Sequence, residues 1–156
     1  MFSERFKIVR LQTVVAANGF AMSDYVSMKN VKQATFVISH AGATDTDLIL
    51  ALDEATAVAA GTHRAVTATF PIQVDIDHGV ASDILVRQTN AVSFTIDPVT
   101  MGPALVVFEW DPAKHTEGYD CIAVSGSGGN ASNTVVVFAL LEMKYQQASL
   151  PAAITD

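Results

Sequence analysis

Thr134-Val135-Val136-Val137-Phe138-Ala139-Leu140-Leu141-Glu142-Met143-Lys144 is the stretch whose reading decides the fold. Branched aliphatic and aromatic residues dominate it, and such side chains suit a pleated strand. Its unbroken apolar run, Val135 to Leu141, is seven residues long. A spanning helix needs about 20, so the run is not expected to cross a bilayer as a helix. With a period of two, Val135, Val137, Ala139, Leu141 and Met143 share one face, and Val136, Phe138 and Leu140 share the other. Both faces are apolar. Ala104–Trp110 repeats the feature, with Leu105 and Val107 alternating against Val106, Phe108 and Trp110. A sandwich strand normally buries one face. Leaving the second in water forfeits about 1.5–3 kcal/mol per large aliphatic side chain and invites aggregation. Either another subunit covers these second faces or a loop of the same chain does; the sequence leaves both open.

The same period extends outward. Leu48, Leu50 and Leu52 share a face in Thr46–Asp53, as do Val92, Phe94 and Ile96 in Ala91–Asp97. Tyr25–Met28, Ala34–Ser39, Thr69–Ile76 and Tyr119–Ser125 are further strand candidates. Asn18-Gly19 is the strongest turn signal, because both residues tolerate positive φ. Gly126-Ser127-Gly128-Gly129-Asn130 reads as a flexible hairpin connection, and Asp111-Pro112 as the cap and first residue of a single helical turn. The expected fold is all-β: an antiparallel β-sandwich or jelly roll of about eight to nine strands. Residues 1–146 form the domain. Residues 147–156, with Pro151 and several alanines, form an extended arm, and the stretch before Asn18 is partly arm-like as well.

Composition narrows the function classes. The chain has 156 residues, 9 Lys plus Arg against 16 Asp plus Glu, and a net charge of −7. A nucleic-acid partner is not expected, since phosphate binding needs a basic face. Charged residues are 16% and apolar residues 50%, against about 25% charged in an average domain. So much apolar surface suggests an oligomer or an assembly component. Charges in the opening Met1-Phe2-Ser3-Glu4-Arg5-Phe6-Lys7 argue against a signal peptide. One cysteine, Cys121, makes no intrachain disulfide and has no zinc-ligand spacing around it. Folding in a host cytoplasm follows as the expectation, with no membrane partner.

No motif announces catalysis, and no cofactor is expected. His40, His63, His78 and His115 fall near strand ends or loops, where exposed histidines are the ordinary explanation. Asp75-Ile76-Asp77-His78 is the best metal-like run, since alternation would put both carboxylates on one strand face. It lacks the spacing of a calcium loop, and a solvated acidic edge that blocks strand pairing explains it as well. Gly126–Gly129 lacks the Gly-Lys-Ser/Thr ending of a phosphate loop, and no helix pattern follows it. Cys121 has Asp120 beside it but no nearby histidine, so it reads as a small buried apolar residue. Glu109 and Asp111 flank Trp110 and could line a sugar site; Tyr25, Trp110, Tyr119 and Tyr145 would be the stacking groups.

Three phrases carry a resemblance. Residues 48–69 run from Leu-Ile-Leu-Ala-Leu-Asp-Glu through an Ala-rich bend and Gly61-Thr62 into a return strand. Residues 105–125 run from Leu-Val-Val-Phe-Glu-Trp-Asp through Gly118-Tyr119-Asp120 into Cys-Ile-Ala-Val-Ser. Residues 128–147 run from Gly-Gly-Asn-Ala-Ser-Asn into Val-Val-Val-Phe-Ala-Leu-Leu and close on Lys144-Tyr145-Gln146-Gln147. In this order they resemble small β-rich virion proteins of tailed bacteriophages and their prophage relatives, over residues 20–150. The resemblance implies a structural protein, a head decoration or cement protein on the outer capsid surface, with no catalytic residues. Its implied partners are the major capsid protein and further copies of itself, and trimers would match local threefold positions of a shell.

On that reading the interface candidates are Val106, Phe108 and Trp110 in one strand, Val135, Val137, Phe138, Leu140 and Leu141 in the other, and Leu150, Pro151 and Ile154 in the arm. The competing expectations are a carbohydrate-binding or host-recognition jelly roll, another head-tail structural protein, and a small metal enzyme built on Asp75, Asp77 and His78.

Overall fold

A computed structural model describes residues 2–145 and 152–154. Among the described residues eleven strands form two antiparallel sheets packed face to face. The larger sheet has the order β1-β11-β3-β9-β6-β7: Phe6–Ala16 (β1), Thr134–Met143 (β11), Val31–Ala41 (β3), Ala104–Trp110 (β9), Ile72–Ile76 (β6) and Val86–Arg87 (β7). The smaller has Val26–Ser27 (β2), Cys121–Gly128 (β10), Leu48–Ala57 (β4) and Ala60–Ala65 (β5), with Ser93–Ile96 (β8) also paired to β4. This is the expected sandwich, with more strands than the turn spacing suggests.

The extra strands have physical causes. β1 contains two register shifts against β11, between Arg10 and Gln12 and between Gln12 and Val15. Each interrupts strict alternation, which hides the strand from a period-two reading. At the first, the Leu11 carbonyl accepts from the Asp24 N–H at 2.9 Å, so the segment leading to β2 covers part of this edge. The stretch before Asn18 is therefore mostly a ladder strand and not an arm. β7 is only two residues long, and β5 carries polar, exposed residues.

The core lies between the sheets. Phe36 and Ile38 face Leu48, Leu50 and Leu52 across it, with Phe70, Phe108 and Trp110 at one end. The Phe70 ring lies 4.9 Å from that of Phe108 and 6.2 Å from Trp110, in tilted and edge-on arrangements favoured by aromatic quadrupoles. Ala153 also packs into this core, and its carbonyl accepts from the Ser27 N–H at 2.7 Å. That part of the C-terminal stretch returns to its own domain. Leu150 and Pro151 lie outside the described residues.

Asn18-Gly19 is a turn as expected, a 3-10 turn over Ala17–Gly19 that leads from one sheet to the other, though neither residue takes positive φ. Gly126 to Asn130 is not the expected hairpin connection: Gly126, Ser127 and Gly128 are the end of β10, paired with β4, and the chain then crosses to β11 in the larger sheet. Gly128 has φ of 84°, and a Cβ there would strike the Asp47 carbonyl oxygen, so glycine is required. Asp111 caps its 3-10 turn as expected, its Oδ1 accepting from the Ala113 N–H at 2.9 Å.

Candidate functional site

The outer face of the six-stranded sheet follows from strand register. Thr35, Val37 and Ser39 of β3 alternate with the buried Ala34, Phe36, Ile38 and His40. Register places Val107 beside Val37, Val37 beside Phe138, and Phe138 beside Arg10. The row above runs Leu105, Ser39, Val136, and the row below runs Glu109, Thr35, Leu140, Ile8. Apolar side chains thus adjoin one another across four strands. Ile8 is 66% exposed and Phe138 36%, while Val37, Leu105, Val136 and Leu140 are half-buried. A shallow depression of about 140 Å³ lies among Phe6, Gln33, Thr35, Leu140 and Glu142.

Polar groups border this patch. Glu142 binds Arg5 and Lys32, each at 3.0 Å, and this ion pairing draws its carboxyl below the usual range against the opposing effect of burial. At the β9 side the Gln73 amide donates to Glu109 at 2.9 Å. An apolar centre with a polar rim is the ordinary anatomy of a protein interface. Its exposed aromatic, Phe138, is the sort of residue that anchors one.

The interface candidates divide on alternation. Phe138 and Leu140 stand on this outer face, and Ile154 is exposed near the C-terminus. Val106, Phe108, Trp110, Val135, Val137 and Leu141 point inward and are buried in the chain's own core. They are not available to a partner, which corrects their place among the candidates. The outward faces of the two-faced strands carry Leu105, Val136, Phe138 and Leu140 instead, with Val107 on the same face but itself buried. Ile8 and Val37 belong to the same patch. Val37 was readable from Thr35-Val37-Ser39 alternation; Ile8 needed the register of β1 against β11.

Two polar networks occupy the other sheet. Asp53 is buried on its outer face, accepting from the Tyr25 hydroxyl at 2.5 Å, with His63 Nδ1 at 3.0 Å. Burial, and next the hydrogen bond to Asp53, push the Tyr25 phenol well above its ordinary pKa. Cys121 is buried beside this group with Ala55 and Ala123, as expected of a small apolar residue. Glu54, one residue on, points the opposite way into the end of the core. Arg64 Nε donates to it at 2.8 Å and the Thr116 N–H at 3.1 Å; His115 Nδ1 lies at 3.3 Å. The Trp110 indole donates to His115 Nε2 at 3.2 Å, so the ring is neutral with its proton on Nδ1, facing Glu54. Burial lowers the His115 pKa, and Glu54 only partly opposes this.

The remaining candidates separate. His40 and His115 are buried, contrary to the expectation of exposed loop histidines. Asp75 and Asp77 do not share a strand face: β6 stops at Ile76, and Asp77 turns away with φ of 53° while its carbonyl accepts from Val80 and Ala81 N–H. Asp75 is instead engaged by His78 Nδ1 at 2.5 Å, and the Ser82 hydroxyl and His78 hold its carboxyl below the usual range. Among the described residues, no three His, Cys, Asp or Glu side chains are placed to hold a metal ion. Of the four sugar-stacking candidates, Trp110 and Tyr25 are buried, Arg64 covers the Tyr119 ring at 4.9 Å, and Tyr145 alone is largely exposed, so among the described residues the four do not form one stacking platform. Among the described residues no helix is long and apolar enough to cross a membrane.

No family model and no curated protein sequence matches the chain. Among solved structures it is similar to the SPBc2 prophage-derived protein YomS, with a TM-score of 0.51 and 8% identity over 87% of this chain and 91% of that one. Two fainter likenesses are too distant to mark a common fold. One is to the modules of xylanase 10B from Clostridium thermocellum, at TM-score 0.37 and 6% identity over 97% of this chain and 28% of that one. The other is to Broad Bean Stain Virus, at TM-score 0.32 and 12% identity over 88% and 66%. The chain is thus an antiparallel β-sandwich with the fold of a prophage-derived protein.

Proposed function

We propose that this protein is a structural component of a tailed-phage particle, and more narrowly a decoration protein that adheres to the outer surface of the head. The observation that carries the reading is the apolar outer face of the six-stranded sheet around Phe138. Its rows cross four strands and end in a charged rim. Water exclusion over such a patch contributes about 25 cal/mol per Å². A single contact of modest area is then weak, and many copies on one lattice add strength without new chemistry. The acidic balance of the chain keeps it off the packaged genome. The fold shared with a prophage-derived protein and the phrase-level resemblance to virion proteins support the same reading. The protein's work on this account is adhesion, not turnover.

Purified particles analysed by quantitative mass spectrometry and electron microscopy test it. The expected result is a copy number matching a repeating lattice position on the head exterior. Absence from particles, or a few copies confined to the tail, overturns the decoration role.

A further inference from the structure

The segment 111–120 leaves β9 after Trp110 and enters β10 at Cys121. It crosses the end of the core where the Trp110 side chain is fully buried against Phe70. Its His115 ring stands edge-on to the indole, with 5.4 Å between ring centres, and only 7% of the His115 side chain is exposed. Side chains and backbone beneath hold the segment down. His115 Nε2 accepts from the Trp110 indole at 3.2 Å, the Thr116 N–H donates to Glu54 at 3.1 Å, and the Lys114 ammonium donates to the Thr69 carbonyl at 2.9 Å. Arg64 donates to the Thr116 hydroxyl and lies over the Tyr119 ring. Trp110 is fixed from the other side, because its backbone pairs with Ala34 in the six-stranded sheet.

A proton on His115 reverses one of these contacts. The neutral ring offers Nε2 as an acceptor, whereas the imidazolium carries hydrogen on both nitrogens. Nε2–H then meets the indole N–H, donor against donor, while Nδ1–H keeps Glu54 at 3.3 Å. The charges around the ring do not cure this conflict. Glu54 from β4 and Asp120 of the segment itself favour the cation. Arg64 from β5 binds Glu54 at 2.8 Å, and Lys29 lies 3.4 Å from Asp120, so both carboxylates are already engaged. Asp111 accepts from the Ala113 N–H, Lys32 is held on Glu142, and Lys144 stands across the groove. Burial raises the Glu54 carboxyl, but hydrogen bonds from Thr116, Arg64 and His115 together hold it below the usual range, so it stays ionised while His115 titrates. For His115 burial is the largest influence and favours the neutral ring in the closed state.

We propose that the segment 111–120 is a proton-released latch, closed over Trp110 while His115 Nε2 accepts from the indole and let go when that nitrogen takes a proton from solvent. The released ring binds the proton more readily than the closed one. Closure is therefore intact above the free histidine value of about 6.5 and is lost as pH falls below it. Opening uncovers the Trp110 indole and withdraws the His115 and Tyr119 wall from a groove of about 280 Å³ that the segment forms with Met28–Lys32. The latch uses neither Phe138 nor its neighbours, and stands or falls separately from adhesion to a head.

Trp110 is the single tryptophan of the chain, so its indole reports on the latch without interference. The test is a titration of the full chain from pH 8 to pH 5, followed by tryptophan emission and by proton–nitrogen correlation spectra. As the His115 ring titrates, the emission should shift to longer wavelength and the indole N–H resonance should move upfield. Exchange of that proton should quicken by about tenfold beyond its intrinsic pH dependence, the worth of one ordinary hydrogen bond. The amides of Phe36 and Val137, in the middle of the six-stranded sheet, should hold their positions through this change. His115→Gln keeps an acceptor that does not titrate and should abolish the shift. His40→Leu, at the far end of β3, should leave it in place, which separates the latch from acid unfolding in general. An indole signal that stays constant until the Phe36 and Val137 amides also move overturns the proposal. So does a shift that persists unchanged in His115→Gln, or one that disappears in His40→Leu.

Discussion

The Tyr25 hydroxyl reaches across Ala123 to donate to Asp53 Oδ1 at 2.5 Å, on the face of the smaller sheet turned away from the core. Small residues make the reach possible: Ala55 and Ala123 pack against Tyr25. The contact ties the segment after β1 to β4, and so joins the crossing between sheets to the middle of the smaller one.

Tyr25→Phe removes the donor and leaves a buried carboxylate short of a partner. The expected loss is about 1.5–3 kcal/mol at neutral pH, read by urea denaturation. The wild type has a further alkaline limb. The folded phenol titrates above its unfolded value of about 10, so its contribution is intact below that value and is lost as pH rises beyond it. Tyr25→Phe should lack this limb.

Acid should weaken the fold through its buried histidines. His40 faces inward from β3, and among the described residues neither ring nitrogen has a hydrogen-bond partner. Burial lowers its pKa, as it does that of His115. Both therefore favour the neutral ring in the folded state, and stability is lost as pH falls through the unfolded value of about 6.5. His40→Leu removes no hydrogen bond and should flatten part of that acid limb in thermal melts at pH 7 and pH 5. An unchanged pH dependence would show that His40 takes no part in it.

Side chains on opposite faces of the same sheet should behave differently. Phe36→Ala opens a hole in the core and should cost about 3–5 kcal/mol. Phe138→Asp lies on the outer face and should leave the melting temperature within a few degrees of the parent, since surface changes usually fall within about 0.5 kcal/mol. Differential scanning calorimetry of the two variants separates the faces.

Gly128→Ala should destabilise by roughly 1–3 kcal/mol, because the backbone there is left-handed and a methyl group meets the Asp47 carbonyl. Gly79 also has positive φ, but a Cβ there meets nothing within 4 Å. Gly79→Ala should therefore cost less, and chemical denaturation of the pair isolates the steric part.

Alternation made the sandwich legible before any coordinates, and Ala104–Trp110 has the same bounds in both. It also exposed the two apolar faces of β9 and β11. What alternation could not tell was which face turns inward, because both carry similar side chains; that depended on pairing with β3, where Phe36 and Ile38 are larger than Thr35 and Val37. β1 escaped because two bulges break its period. The Glu54 network escaped for a different reason: Glu54, Arg64, Trp110 and His115 are brought together by strand pairing and a capped turn, and no local spacing signals such a meeting.

Co-sedimentation with purified heads lacking the protein tests the central claim most directly. The wild-type chain should pellet with the heads and saturate at a lattice-determined ratio, while Phe138→Asp, folded to the same melting temperature, should stay in the supernatant. Equal pelleting of both chains, or of neither, would contradict adhesion through the outer face of the six-stranded sheet.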